Sequence, residues 1–409
     1  MKNIYKNIKS LMGVYDAPIV KLKGKEMASV PSIEDAYLIV EDGRILDFGA
    51  MKDYKADETG ATVESLDGKF VFPAFADSHS HIVYAGSRET EYEDKIRGLS
   101  YVEIAKRGGG ILNSADLLHN TSENDLYEAA MARLRQCVEG GTGAMEIKSG
   151  YGLSTEDELK MLRVIRRMKE DAPIAIKSNF LAAHAFPRNY ANDHDGYVDL
   201  IVKEMIPLVA KEKLADYIDV FCDEGFFTVE QTAKMLEAGA KYGMRPKIHA
   251  NELAMSGGIQ VGVKYNALSV DHLEYVGQAE RDVLRDSETM ATALPGAAFF
   301  LGMPYSPVRE MIDDGLAVAL ASDFNPGSSP SASMKFVLSL ASIKMKLTPQ
   351  EALNAATVNG AYALGLAGSH GTICRGQLAN FIVTKPMPSF AYFSYSYTEN
   401  LIEKVIVNK

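Results

Sequence analysis

Only three cysteines occur in the 409 residues, Cys137, Cys222 and Cys374, and none stands in a C-x-x-C pair. So odd and widely spaced a set excludes a disulfide framework or a thiolate zinc site as an organising feature and fits a reducing compartment. No stretch reaches the roughly 18 consecutive apolar residues of a membrane helix. The N-terminus carries Lys2, Lys6 and Lys9 but has neither an uninterrupted apolar segment nor a small-residue cleavage site, so a cytoplasmic protein with no membrane partner is expected. Blocks of Lys and Arg are missing as well. With 43 basic residues against 54 acidic ones, the net charge is −11, which argues against nucleic acid or an anionic surface as a partner. A local basic pocket for a small acid remains compatible with that balance.

Hydrophobic residues make up 47% of the chain and charged residues 24%, enough apolar surface for a large core and too much for general disorder. The first 70 residues read as short strands and turns. Tyr37, Ile39, Ile45 and Phe48 flank Asp42-Gly43, a dipeptide that tolerates the positive φ angles of a type I′ hairpin. The last 40 residues return to this style, with GQLANFIVT and LIEKVIVNK around an aromatic stretch, so the two ends are expected to pair into one small β-domain. Between them, helical patterns separate eight short apolar runs: FPAFADSHSHI, GAMEIKS, IAIKSNFLAAHA, YIDVFCD, PKIHA, ALSVDHL, MATAL and LAVALASD. Apolar strands alternating with helices predict a parallel sheet covered on both faces, hence a (β/α)₈ barrel over residues 71–369, with residues 1–70 and 370–409 forming the smaller domain. Helix starts are expected at three places: a capping box over Thr155-Glu156-Asp157-Glu158, Thr348 followed by Pro349 and Glu351, and Thr228 with Gln231, the last helix ending near Gly243.

Polar residues recur where these runs end: His79, His81, His184, Asp223, His249, His272 and Asp323. In a barrel that is the face on which active sites are built. Read singly, each is as well explained by a satisfied structural role. The sharpest local signal is Asp77-Ser78-His79-Ser80-His81, because two-residue spacing on a strand turns both imidazoles to one face. By itself H-x-H is weak; His249 and Asp323, at the ends of two distant strands, make it a candidate site for zinc or iron. His249-Ala250-Asn251-Glu252 is read as a strand end plus loop, since Pro246 and Gly257-Gly258 leave little room for a helix, and Glu252 is then placed as a proton shuttle near a metal. Gly108-Gly109-Gly110 lacks a P-loop pattern and is expected to form a flexible loop with no helix start. Lys148 and Lys177 are assigned structural or substrate-lining roles.

These residues resemble the metal-dependent amidohydrolase superfamily. EIKSGYGL (146 to 153), AAHAFP (182 to 187), DVFCDEGFF (219 to 227), LPGAAFFL (294 to 301) and ASDFNPGSSP (321 to 330) are similar to its branch that opens 4-imidazolone-5-propanoate to N-formimino-L-glutamate in histidine degradation. The resemblance runs from about residue 70 to about residue 380. It implies a (β/α)₈ barrel with a small β-sandwich from both chain ends, a homodimer, and one divalent metal held by His79, His81, His249 and Asp323. Zinc is the first expectation for three histidines and one aspartate, with iron also compatible. It further implies Arg88, Tyr151, His184 and Glu252 around the substrate, Asn325, Gly327 and Ser328 at the product site, and proton transfers shared among Glu252, His272 and Asp323. The chain departs from the pattern at Ser78, Ser80 and Asn380, and Ile111 to Asn120 lacks a Thr-Arg ending, which puts in doubt one carboxylate contact that the pattern implies near residue 119. The rival enzyme is another cyclic-amide or amidine hydrolase, such as a base deaminase, which would release ammonia. The rival outside enzymology is a binding or assembly protein on the same fold, and loss of a metal ligand would have favoured it.

Overall fold

The structure is a computed structural model and describes residues 1–99 and 109–409. Eight parallel strands follow one another in chain order: Phe75–Asp77, Thr142–Lys148, Ala175–Ala183, Tyr217–Cys222, Arg245–Ala250, Ser269–His272, Met290–Ala293 and Val318–Leu320. Each falls inside or across one of the eight apolar runs. The sheet closes on itself just beyond its C-terminal rim, where Ser80 bridges Phe324 and the His81 amide donates to the Phe324 carbonyl at 2.9 Å. The fold is a (β/α)₈ barrel. Every residue of the second strand, Thr142–Lys148, is buried, as expected of a parallel sheet covered on both faces.

The chain ends build a separate sheet in the order 402–406, 381–384, 70–73, 2–12, 32–41, 44–50, with Thr62–Ser65 added alongside Lys2–Met12. Asp42 (φ 48°) and Gly43 (φ 75°) form the tight turn of its hairpin, the two positive φ angles a type I′ turn requires. Strand Phe70–Pro73 belongs to this sheet and runs directly into the first barrel strand. Phe72 meets Phe393 and Phe390 edge-on, with ring centroids 5.2 and 5.5 Å away, so the C-terminal aromatic stretch packs the sheet onto the barrel.

Thr348-Pro349-Gln350-Glu351 and Thr228 with Gln231 cap their helices as expected. Gly243 (φ 79°) turns the chain three residues after helix Val229–Ala240. The box at Thr155 is displaced by one residue: Ser154 is the cap and accepts the Asp157 amide. Glu158 is thereby released from capping and points inward. The triple glycine also differs from expectation. Gly108 lies outside the described residues, but Gly110 (φ 86°) opens helix Ile111–His119, and its amide donates to Glu91 at 2.8 Å. A helix start without a P-loop pattern was hard to see because a buried carboxylate 19 residues upstream anchors it.

Candidate active site

The C-terminal rim of the barrel gathers the side chains that the strand ends carry. Nε2 of His79 and Nε2 of His81 lie 3.2 Å apart, and Asp323 Oδ1 is 3.5 Å from each. Donor atoms of His79, His81 and His249 all lie within 4.8 Å of one another, and so do those of His79, His272 and Asp323. The Asp323 backbone takes a positive φ (50°) and His272 does the same (84°), conformations of non-glycine residues that need support from their surroundings. At Asp323 that support is visible. Its amide donates to the His79 carbonyl at 3.0 Å, and the preceding Ser322 is bonded through both backbone N–H and hydroxyl to the buried carboxylate of Asp77.

Beneath the histidines lies a buried layer of charge. Asp271 Oδ2 is 2.7 Å from His79 Nδ1, and Asp219 Oδ1 is 3.1 Å from His249 Nδ1. Lys148 joins the two acids, donating to Asp219 at 2.7 Å and standing 3.6 Å from Asp271, while Lys247 pairs with Glu146 and reaches the Ser78 carbonyl. Lys148 is therefore a structural residue, in line with the reading of it. Burial opposes the Asp219 charge, but Lys148 and His249 hold that carboxyl well below its ordinary range. Burial first, then Lys148 and the neighbouring imidazoles, keep His79 well below the usual histidine value, and burial with its imidazole neighbours does the same for His81. Neutral imidazoles are what a metal requires of its ligands.

The buried Nε2 of His249 has no partner among the described residues, so an orphaned acceptor points into the cluster from a ring whose other nitrogen faces Asp219. A buried polar atom without a partner is costly. The imidazoles of His79, His81 and His249, the orphaned Nε2 among them, and the Asp323 carboxylate could together hold a metal ion.

A cavity of about 410 Å³ opens over this cluster. Arg88, Tyr151, His184, Glu252, Asn325, Gly327 and Ser328 all reach its wall, as do His81, His249, His272 and Asp323. His184 stacks on His81 with centroids 5.2 Å apart. Burial lifts Glu252 to about 7 against the opposing charge of His272. For His272, burial works against the proton, but Glu252, 3.6 Å away, and Glu274 outweigh it and raise the imidazole to about 10. Asn325 folds over the loop after the eighth strand, accepting from the Gly327 and Ser328 amides at 2.8 Å each, and the Ser328 hydroxyl donates to Asp323 at 3.2 Å.

Of the residues singled out at strand ends or on barrel strands, His79 and Lys148 lie beneath the cavity, and Asp223 and Lys177 stay out of its wall as well. Asp223 accepts from the Leu253 and Ala254 amides and braces the loop that carries Glu252. Lys177 stands 3.6 Å from Asp216, away from the cavity wall. Three residues were not visible as functional beforehand. Asp219 and Asp271 sit inside apolar runs, and an acid within a buried strand was the signal available. Glu158, fully buried, accepts from Gly150 (3.2 Å), Gly152 (2.8 Å) and Leu153 (3.0 Å) and so shapes the loop that presents Tyr151.

The pattern of the amidohydrolase family matches residues 70–408. Along its full length the chain is 52% identical to the imidazolonepropionase of Flavobacterium johnsoniae, covering 99% of that protein. It is 40% identical to the imidazolonepropionase of Thermoanaerobacter pseudethanolicus, with 94% of this chain and 92% of that protein covered. Among solved structures, a triazine hydrolase variant superposes with a TM-score of 0.75 over all of this chain and 93% of the other. A guanine deaminase from C. acetobutylicum does so with 0.70 over all of this chain and 99% of the other. At 16% identity, both likenesses are of fold alone. Identity of the first kind over the whole length leaves one placement: the chain belongs to the amidohydrolase family and, within it, to the imidazolonepropionases.

Proposed function

We propose that the protein opens the ring of 4-imidazolone-5-propanoate with one water to give N-formimino-L-glutamate. The observation that carries this is the convergence of the His81, His249 and Asp323 donors, with His79 beside them, and of Glu252 and His272 on one cavity whose wall also holds Arg88. One divalent ion, zinc by preference and iron second, would be held by those four donors; when bound, such an ion acidifies water towards neutral pH and polarises a carbonyl.

The chain's own residues supply the rest. With a value near 7, Glu252 exists in both protonation states at neutral pH, as a group that first accepts a proton and then delivers it should. Its place is to move that proton to the ring nitrogen that leaves as the cyclic amide breaks. His272 keeps its proton beside Glu252 and offers an N–H to the oxygen on which charge gathers. Tyr151 and the stacked His184 close the sides of the cavity, and the guanidinium of Arg88 offers hydrogen bonds to the propanoate. The cytoplasm suits three free, buried cysteines, and among the described residues no helix is long and apolar enough to cross a membrane.

Freshly generated imidazolonepropanoate, followed by its ultraviolet absorbance, tests the reading, with histidine and dihydroorotate as controls. Rapid loss of absorbance with the first substrate only, and no ammonia, is expected. Stable absorbance, or stoichiometric ammonia, would replace ring opening with a different hydrolysis.

A further inference from the structure

Arg88 is not a free cation. Its Nε and Nη2 both donate to Glu91 Oε2, at 2.9 and 2.6 Å, and the other oxygen of Glu91 accepts the Gly110 amide. This ion pair is nearly closed from solvent, with the side chains 10% and 8% exposed. The guanidinium therefore brings geometry to the cavity wall but little net charge.

A second cation stands beside it. Lys95, in the last turn of helix Glu89–Ile96, reaches the same cavity wall, with Nζ 3.4 Å from the Gly327 carbonyl and 5.7 Å above the Phe300 ring. Arg88 also lies against Gly327, so close that a Cβ there would come within 2.2 Å of Nη1. Both cations thus converge on one glycine. Among the described residues, no carboxylate lies within ion-pair distance of Lys95. Among the described residues, Arg88, Lys95 and Glu91 sum to one positive charge in excess at this end of the cavity, inside a protein whose net charge is −11. Partial burial, and then the charge of Arg88, push the Lys95 ammonium below its ordinary value against the weaker opposing pull of Glu91.

We propose that Lys95 is a second carboxylate-binding residue, supplying the net charge that Arg88, already paired with Glu91, does not. The proposal rests on the ring-opening reading only for the identity of the anion, a propanoate. Its physical basis is that a carboxylate entering the cavity loses water and must also overcome the field of an acidic protein, so a local unpaired cation offsets both. Gly327 has its own part, because any side chain there would displace the Arg88 guanidinium from its place beside the glycine.

The test uses calorimetric titration of the intact protein with two stable probes, 3-(imidazol-4-yl)propanoate and its neutral carboxamide. Wild type is expected to prefer the acid at least tenfold. Lys95→Met should remove most of that preference, Lys95→Arg should keep it, and added salt should weaken acid binding more in wild type than in Lys95→Met. An unchanged preference in Lys95→Met, or an equal loss in Lys95→Met and Lys95→Arg, overturns the proposal. Thermal melts of each variant show that the comparison is between folded proteins. Turnover of imidazolonepropanoate is read separately: an intact, Lys95-dependent preference for the acid without turnover would sink ring opening and uphold the anion site.

Discussion

Asp271 holds His79: its Oδ2 lies 2.7 Å from the imidazole Nδ1, and both side chains are fully buried. The pairing turns Nε2 of His79 towards His81 and Asp323 and fixes the tautomer in which Nε2 carries a lone pair. Asp219 does the same for His249, and Lys148 ties the two acids together. The donors are thus orientated before any ion arrives.

The first prediction follows from that layer. Asp271→Asn keeps the shape but weakens the hold on the His79 ring, and affinity for a divalent metal should fall by about 10- to 100-fold, the usual worth of such a partner. Competition with a chromophoric chelator measures this without reference to turnover. Unchanged affinity would mean that packing alone orientates His79.

Glu252→Gln carries the second. The amide cannot cycle a proton, so kcat should drop by roughly 10² to 10⁴ while metal content stays at the wild-type value. Wild-type kcat in this variant would remove Glu252 from the proton path.

Glu158→Gln is the third. An amide NH₂ would face either the Gly150 N–H or those of Gly152 and Leu153, which the two carboxylate oxygens now satisfy, at a cost of about 1 to 3 kcal/mol in stability. Because Gly150 also offers its carbonyl to His184 Nδ1 at 3.1 Å, the disturbance should reach both Tyr151 and His184 and raise KM more than it lowers kcat. In a double mutant with Tyr151→Phe the losses should be less than additive if Glu158 acts through the loop.

The fourth concerns acid stability. His370 is buried, its Nε2 has no partner among the described residues, and burial depresses it from 6.5 to about 4. The unfolded chain therefore binds this proton first as pH falls. Stability from this group is complete above about pH 6.5 and is lost between there and about pH 4, at about 1.4 kcal/mol per pH unit. Denaturant melts of His370→Gln across that window should show a shallower decline than wild type by up to that slope.

What was legible in the sequence divides along physical lines. The eight barrel strands could be read because a strand buried on both faces must be apolar, and the rim residues because His and Asp have no packing reason to end such runs. The Asp42-Gly43 hairpin was legible because few dipeptides accept two positive φ angles. The second layer was not legible. Asp219, Asp271 and Glu158 act on groups 30, 192 and 6 residues away, and only the folded barrel brings those partners together. Glu158 was further hidden by sitting where a capping box would place its acid. Arg88 was placed around the substrate, and nothing in the sequence pattern fixed what it pairs with. The structure pairs Arg88 with Glu91 and brings Lys95 to the same cavity wall through the Gly327 carbonyl.

The claim that water opens a cyclic amide in this cavity is tested most directly by the mass of the product formed from purified substrate. Expected is a single product heavier than 4-imidazolone-5-propanoate by one water, formed without ammonia and lost together with bound metal in His249→Ala. A product formed with loss of ammonia, or undiminished conversion by His249→Ala stripped of metal, would contradict it.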